Sequence, residues 1–117
     1  MTIKEFYAQI GEDDQDVVKR LGSEALIRRL ILKFPQDETF AALQEALEQQ
    51  NTETAFRAAH TLKGVAVNLG FTRLYYAAAA LTEVLRTAKL AEAAPLLAET
   101  ETAYRKIINA ISALTSD

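Results

Sequence analysis

The sequence predicts an all-α fold: an antiparallel four-helix bundle with additional short N-terminal helices. Three observations carry that expectation. Of 117 residues, 21 are Ala and 15 are Leu, against five Val, four Gly and two Pro, so strong helix formers outnumber breakers and β-branched residues. Apolar residues recur every three or four positions along most of the chain, the period of a helix with one buried face. Capping residues, glycines and prolines fall at the ends of those periodic stretches. No long linker, repeat or low-complexity tail interrupts them, so residues 1–117 read as a single domain.

The expected elements follow in order. Ile3, Phe6, Tyr7 and Ile10 share helical spacing over Thr2 to about Gln9. Asp14 is expected to cap a second short helix that stops at Gly22. Ser23 caps a third through Leu26, Ile27, Leu30 and Ile31 to Phe34, where Pro35 ends it. These pieces, residues 2–34, would cover one side or end of a bundle formed by residues 37–115. In the bundle, Asp37 opens a helix carrying Phe40, Leu43 and Leu47. Asn51 or Thr52 opens the next, which closes at Gly70 in the position a helix C-cap favours. Thr72 starts a third, with Leu74, Ala78, Leu81 and Leu85 on one face. Glu92 or Pro95 begins the last, with Leu97, Tyr104, Ile108 and Ile111 along its stripe. Four amphipathic helices joined by short loops make an antiparallel bundle. Tyr75, Tyr76 and the run Ala77–Ala80 read as packing, and Asp13, Asp14 and Asp16 as capping and solubility.

Composition also excludes several functions. With 13 basic and 16 acidic residues the net charge is −3, which argues against electrostatic binding to nucleic acid. With no cysteine there is no disulfide, thiolate metal site or thiol nucleophile, and a single histidine, His60, rules out a two-histidine zinc motif. Lys4 and Glu5 stand where a signal peptide needs an apolar run, and no uncharged stretch approaches the length of a bilayer. A cytoplasmic protein without membrane association is expected.

Placed on a wheel at about 100° per residue, Leu62 and Leu69 lie roughly 160° to 180° from His60, flanked by Ala55, Ala58, Val65 and Ala66. His60 therefore faces solvent, among Glu53, Arg57, Lys63, Gly64 and Val67. Gly64 stands one turn after it in mid-helix, where glycine costs about 1 kcal/mol relative to alanine and calls for a packing or functional reason. The absent side chain clears space beside the imidazole. Lys63, at i+3, reaches whatever the ring carries. An exposed imidazole is a nucleophile near neutral pH, and an adjacent ammonium offsets the charge of a transferring phosphoryl group. Nucleophile, cation and cleared space together suggest phosphoryl transfer through His60. Phe56 and Val67, on the same outer face, suggest a partner-docking patch, to which Arg57 adds charge; Arg73 is a further candidate for steering an acidic pocket.

The segment Ala59-His60-Thr61-Leu62-Lys63-Gly64, followed by Asn68-Leu69-Gly70, resembles the signature of the histidine-containing phosphotransfer (HPt) family. The order of helices resembles that family as well. The resemblance implies a four-helix bundle whose exposed histidine, His60 here, takes a phosphoryl group from a receiver aspartate and passes it to another, in a multistep two-component phosphorelay. It implies Lys63 as the supporting cation, Gly64 as the clearance glycine and Gly70 as the helix end. It further implies a monomeric carrier with no kinase or phosphatase activity and no cofactor or metal of its own, Mg²⁺ being brought by the receiver. The expected partners are the receiver domains of a hybrid sensor kinase and of a downstream regulator. Val65 and Phe71 depart from the family pattern and could tune which receiver docks. Two other readings are a helical interaction adaptor that transfers no phosphate, and the phosphoacceptor domain of a chemotaxis-type kinase.

Overall fold

The computed structural model describes residues 1–115, and among them all regular structure is helical, with no strand. Three short helices come first: α1 (Ile3–Gln9), α2 (Gln15–Leu21) and α3 (Glu24–Lys33). A 3₁₀ turn at Phe34–Gln36, carrying Pro35, leads into α4 (Thr39–Glu48), α5 (Thr52–Leu69) and α6 (Thr72–Arg86). A second 3₁₀ turn at Leu90–Glu92 precedes α7 (Ala93–Thr115). Helices α4 to α7 form the bundle, each packed on its neighbour in sequence. The ring closes through Phe40 of α4, stacked on Tyr104 of α7 at 4.2 Å between centroids and 16° between planes.

Most of the expected ends are set by the expected chemistry. Ser23 accepts the Leu26 N–H and Asn51 accepts the Thr54 N–H. The Asp37 carboxylate accepts the Thr39 N–H at 2.8 Å. Gly22 and Gly70 end α2 and α5 with φ of 73°, a conformation that a Cβ disfavours. One cap differs from expectation. Asp14, in the residue position before α2, makes no side-chain cap bond, whereas Asp13 accepts the Gln15 N–H. Asp13 and Asp14 have the same short carboxylate and the same capping chemistry, so sequence alone does not choose between them.

The core is one contiguous cluster in which the N-terminal helices take part as fully as the bundle. Ile3, Phe6 and Tyr7 of α1, Val17 of α2 and Ile27 and Ile31 of α3 are buried beside Leu43, Leu62, Leu74 and Leu81. Phe71 is a hub: its ring lies 5.3 Å from Phe34, 6.1 Å from Tyr7 and 6.3 Å from Phe6. At 1% exposure it cannot touch a docking partner, so its expected part in partner choice is not supported; its ring joins the N-terminal helices to the bundle. Tyr76 departs in the other direction, with 66% exposure instead of the expected packing role. Two buried threonines, Thr82 and Thr100, donate to the carbonyls of Ala78 and Leu96 one turn back, so burial leaves neither hydroxyl unsatisfied.

Candidate functional site around His60

Helix α5 buries Ala55, Ala59, Leu62, Ala66 and Leu69. Three of the five are alanines, and their small side chains let α4 and α6 approach the helix closely. Ala58 and Val65 are half-buried at the margins of that stripe, and His60 is exposed on the far side. The wheel therefore places His60 correctly, although Ala59 widens the buried arc beyond the stripe that the wheel outlines.

Around His60 the outer face is uneven. A Cβ built on Gly64 would meet nothing within 4 Å, so the glycine opens space on the C-terminal side of the imidazole and answers no packing need. On the N-terminal side, Phe56 lies nearly parallel to the imidazole, at 11° and 6.2 Å between centroids. Helical side chains lean toward the N-terminus, and that lean brings His60 onto the residue four positions before it. Phe56 is half-buried against the edge of the core, and Arg86 of α6 lies over its ring at 5.2 Å. Arg86 is held in turn by Glu83 at 3.3 Å.

The other expected residues take different roles. Lys63 is half-buried at i+3, and Val67 is 52% exposed, the largest apolar exposure on α5. Arg57 is on the outer face but shares its charge with Glu53 at 3.2 Å, a surface pair that adds little stability. Arg73 is exposed in the first turn of α6, its guanidinium beside Gly11. It belongs to the Gly70 end of the hairpin, away from the turn of α5 that carries His60. Val65 faces α3, lining a shallow depression with Leu30, Lys33, Phe34 and Asn68. Among the described residues, no three His, Cys, Asp or Glu side chains gather as a metal site would require.

Arg86 was not among the expected residues. A signal for it was present: in a helical hairpin turning near Phe71, positions 56 and 86 are symmetric about the turn and so face one another. Three further side chains also lay outside the expected site, and they secure the far end of α5. Arg20 of α2 donates to the carbonyls of Val67 and Asn68 at 3.2 and 3.1 Å while paired with Asp16 at 2.8 Å. Tyr7 donates its hydroxyl to the Leu69 carbonyl. Glu12 accepts the N–H groups of Thr72 and Arg73, where Phe71 supplies no side-chain cap for α6. A cation thus meets the C-terminal end of α5 and an anion the N-terminal end of α6, as each helix dipole favours. Burial holds the Tyr7 hydroxyl well above the ordinary tyrosine range; Arg20 opposes that shift, and Asp14 and Glu12 reinforce it.

The family model for the Hpt domain matches residues 36–115. Searches of curated proteins and of solved structures returned no match. The matched span holds α4 to α7, so the N-terminal helices that secure the hairpin lie outside it.

Proposed function

The chain belongs to the Hpt domain family, and on that premise we propose that His60 carries a phosphoryl group between receiver-domain aspartates in a multistep phosphorelay. The family acts in histidine phosphotransfer through receiver domains, as a phosphocarrier rather than as a typical enzyme. The observation that carries the assignment to His60 is the open space at Gly64 beside the exposed imidazole, in the middle of a helix whose other face is buried.

In the proposed reaction the solvent-facing imidazole nitrogen attacks the phosphorus of a receiver's aspartyl phosphate in line. The N–P bond forms as the P–O bond to the aspartate breaks, and the freed carboxylate keeps the electron pair. Lys63 offsets the charge on the phosphoryl oxygens. A second receiver aspartate then attacks phosphorus and returns the electron pair to the imidazole. Positioning and electrostatics supply most of such a rate enhancement. The protein needs no metal of its own in this scheme; Mg²⁺ belongs to the receiver's acidic pocket. Val67, with Phe56 and Arg57 beside it, supplies the docking patch. No described helix is long and apolar enough to cross a membrane.

Incubation with a phosphorylated receiver is expected to leave an acid-labile, base-stable phosphate on the protein. His60→Gln that still takes up label would refute the assignment. Val67→Ala is expected to raise KM for the phosphorylated receiver several-fold, and an unchanged KM would remove Val67 from the patch.

A further inference from the structure

The His60 ring has a wall on one side and a gap on the other. Phe56 backs the imidazole at 11° and 6.2 Å, within the range over which aromatic pairs attract. On the opposite side, one turn on, a Cβ built on Gly64 would meet nothing within 4 Å. The outer side of the wall is covered by Arg86, which lies over Phe56 at 5.2 Å with Glu83 beside it at 3.3 Å in a surface pair. The row Glu83–Arg86–Phe56–His60 therefore runs from α6 onto α5. Arg86 and Phe56 also line an open depression with Thr52, Glu53, Leu85 and Ala88, so solvent reaches the row from its far end.

An exposed histidine on a helix has several rotamers open to it, and an in-line attack uses only one orientation. Ordering a free side chain at the moment of reaction costs rate. A ring already packed against a braced phenyl avoids much of that loss. We propose that Phe56 and Arg86 are positioning residues for His60: Phe56 holds the imidazole plane so that its reactive nitrogen faces the Gly64 gap, and Arg86 holds Phe56. The proposal rests on His60 being the phosphoacceptor. It gives Phe56 a task separate from docking, since a positioning residue changes kcat where a docking contact changes KM.

The test uses the full chain and four variants. Phe56→Leu keeps apolar bulk and loses the flat ring, and Phe56→Tyr keeps the ring. Arg86→Gln loses the cation, and Arg86→Lys keeps it. Two phosphoryl donors separate positioning from docking: a phosphorylated receiver, and phosphoramidate, which needs no docking surface. With phosphoramidate the P–N bond to ammonia breaks as the bond to His60 forms, and ammonia leaves with the proton. Phe56→Leu, which keeps apolar bulk for docking, is expected to lower kcat with the receiver three- to tenfold with a smaller change in KM, and to lower the phosphoramidate rate three- to tenfold as well. Arg86→Gln is expected to lower both two- to threefold. Phe56→Tyr and Arg86→Lys are expected to restore most of each loss. Side-chain NMR couplings of unphosphorylated His60 should show one dominant rotamer in the wild type and averaging in Phe56→Leu.

A raised KM with unchanged kcat and phosphoramidate rate would make Phe56 a docking contact only and overturn the proposal. Rotamer averaging in the wild type would overturn it as well, whatever the kinetics. If the wild type takes label from neither donor while its ring is ordered, the phosphoacceptor reading fails, and the orienting role for phosphotransfer falls with it.

Discussion

Two glycines six residues apart on the same stretch of chain do opposite things. Gly64 sits in the middle of α5 with no neighbour for a Cβ within 4 Å. Gly70 ends the helix at φ 73°, and a Cβ there would lie 3.3 Å from Cβ of Val17 and 3.6 Å from the Tyr7 ring. The first glycine spends helix stability to leave a space; the second makes a left-handed turn under a packed cover. The regions around them differ in the same way. Near His60 the face is open, held by one aromatic row. At the turn, α1, α2 and the loop between them close over the hairpin, Tyr7 and Arg20 donating hydrogen bonds and Glu12 accepting them. The proposed carrier role needs the outer face of α5 accessible around His60, and the covered C-terminal end of the helix supplies the rigidity that the open face gives up.

That contrast can be broken from both sides. The largest effect is expected at the turn: Gly70→Ala combines a left-handed alanine with the tight approach to Val17 and should cost about 2 kcal/mol. For a chain of this size that lowers Tm by roughly 8 °C in a thermal melt, while the phosphoramidate labelling rate of the folded protein stays unchanged. At the open face the signs reverse. Gly64→Gln should slow transfer from a phosphorylated receiver by at least about tenfold, equivalent to about 1.4 kcal/mol. Gly64→Ala should raise stability by up to about 1 kcal/mol. A destabilised Gly64→Ala would show that the glycine serves packing after all.

Tyr7→Phe ranks next. Loss of the buried hydroxyl leaves the Leu69 carbonyl short of a partner and should cost about 1 kcal/mol by denaturant titration. Burial raises the Tyr7 pKa in the folded state, so its contribution is complete below the ordinary tyrosine pKa of about 10 and is lost as pH rises above it. Wild-type stability should therefore decline in alkaline solution more steeply than that of Tyr7→Phe. The smallest effect belongs to Glu12→Gln, which keeps the acceptor and loses the charge at the start of α6. It should cost about 0.5 kcal/mol, and less in high salt.

The helices were legible because their information is local. A three- and four-residue period locates α5, and the same period puts His60 opposite Leu62 and Leu69. Ser23, Asn51 and Gly70 act within a few residues of themselves, so sequence order is enough to place them. The rest depends on residues distant in the chain. Phe71 looked like a variable position on the approach to a partner because nothing near it in sequence reveals that Phe6, Tyr7 and Phe34 will surround it. Glu12 was one member of an acidic run, and only the fold brings it to a helix start 60 residues away. Arg86 was an ordinary helical arginine until α6 packed on α5. The asymmetry of the site, gap on one side and wall on the other, was thus half legible: Gly64 was visible as an anomaly, and the brace behind Phe56 was not.

The cap that Glu12 places on α6 has a consequence for how this molecule is divided. The span that matches the family begins at residue 36, yet the first two N–H groups of α6 have their acceptor at residue 12. A fragment trimmed to the matched span would keep every residue proposed for phosphotransfer and lose the partner of those amides. Hydrogen exchange would register the difference: the amides of Thr72 and Arg73 should exchange slowly in the whole chain and quickly in the fragment. Family resemblance and mechanical integrity have different borders here, and the second reaches almost to the first residue.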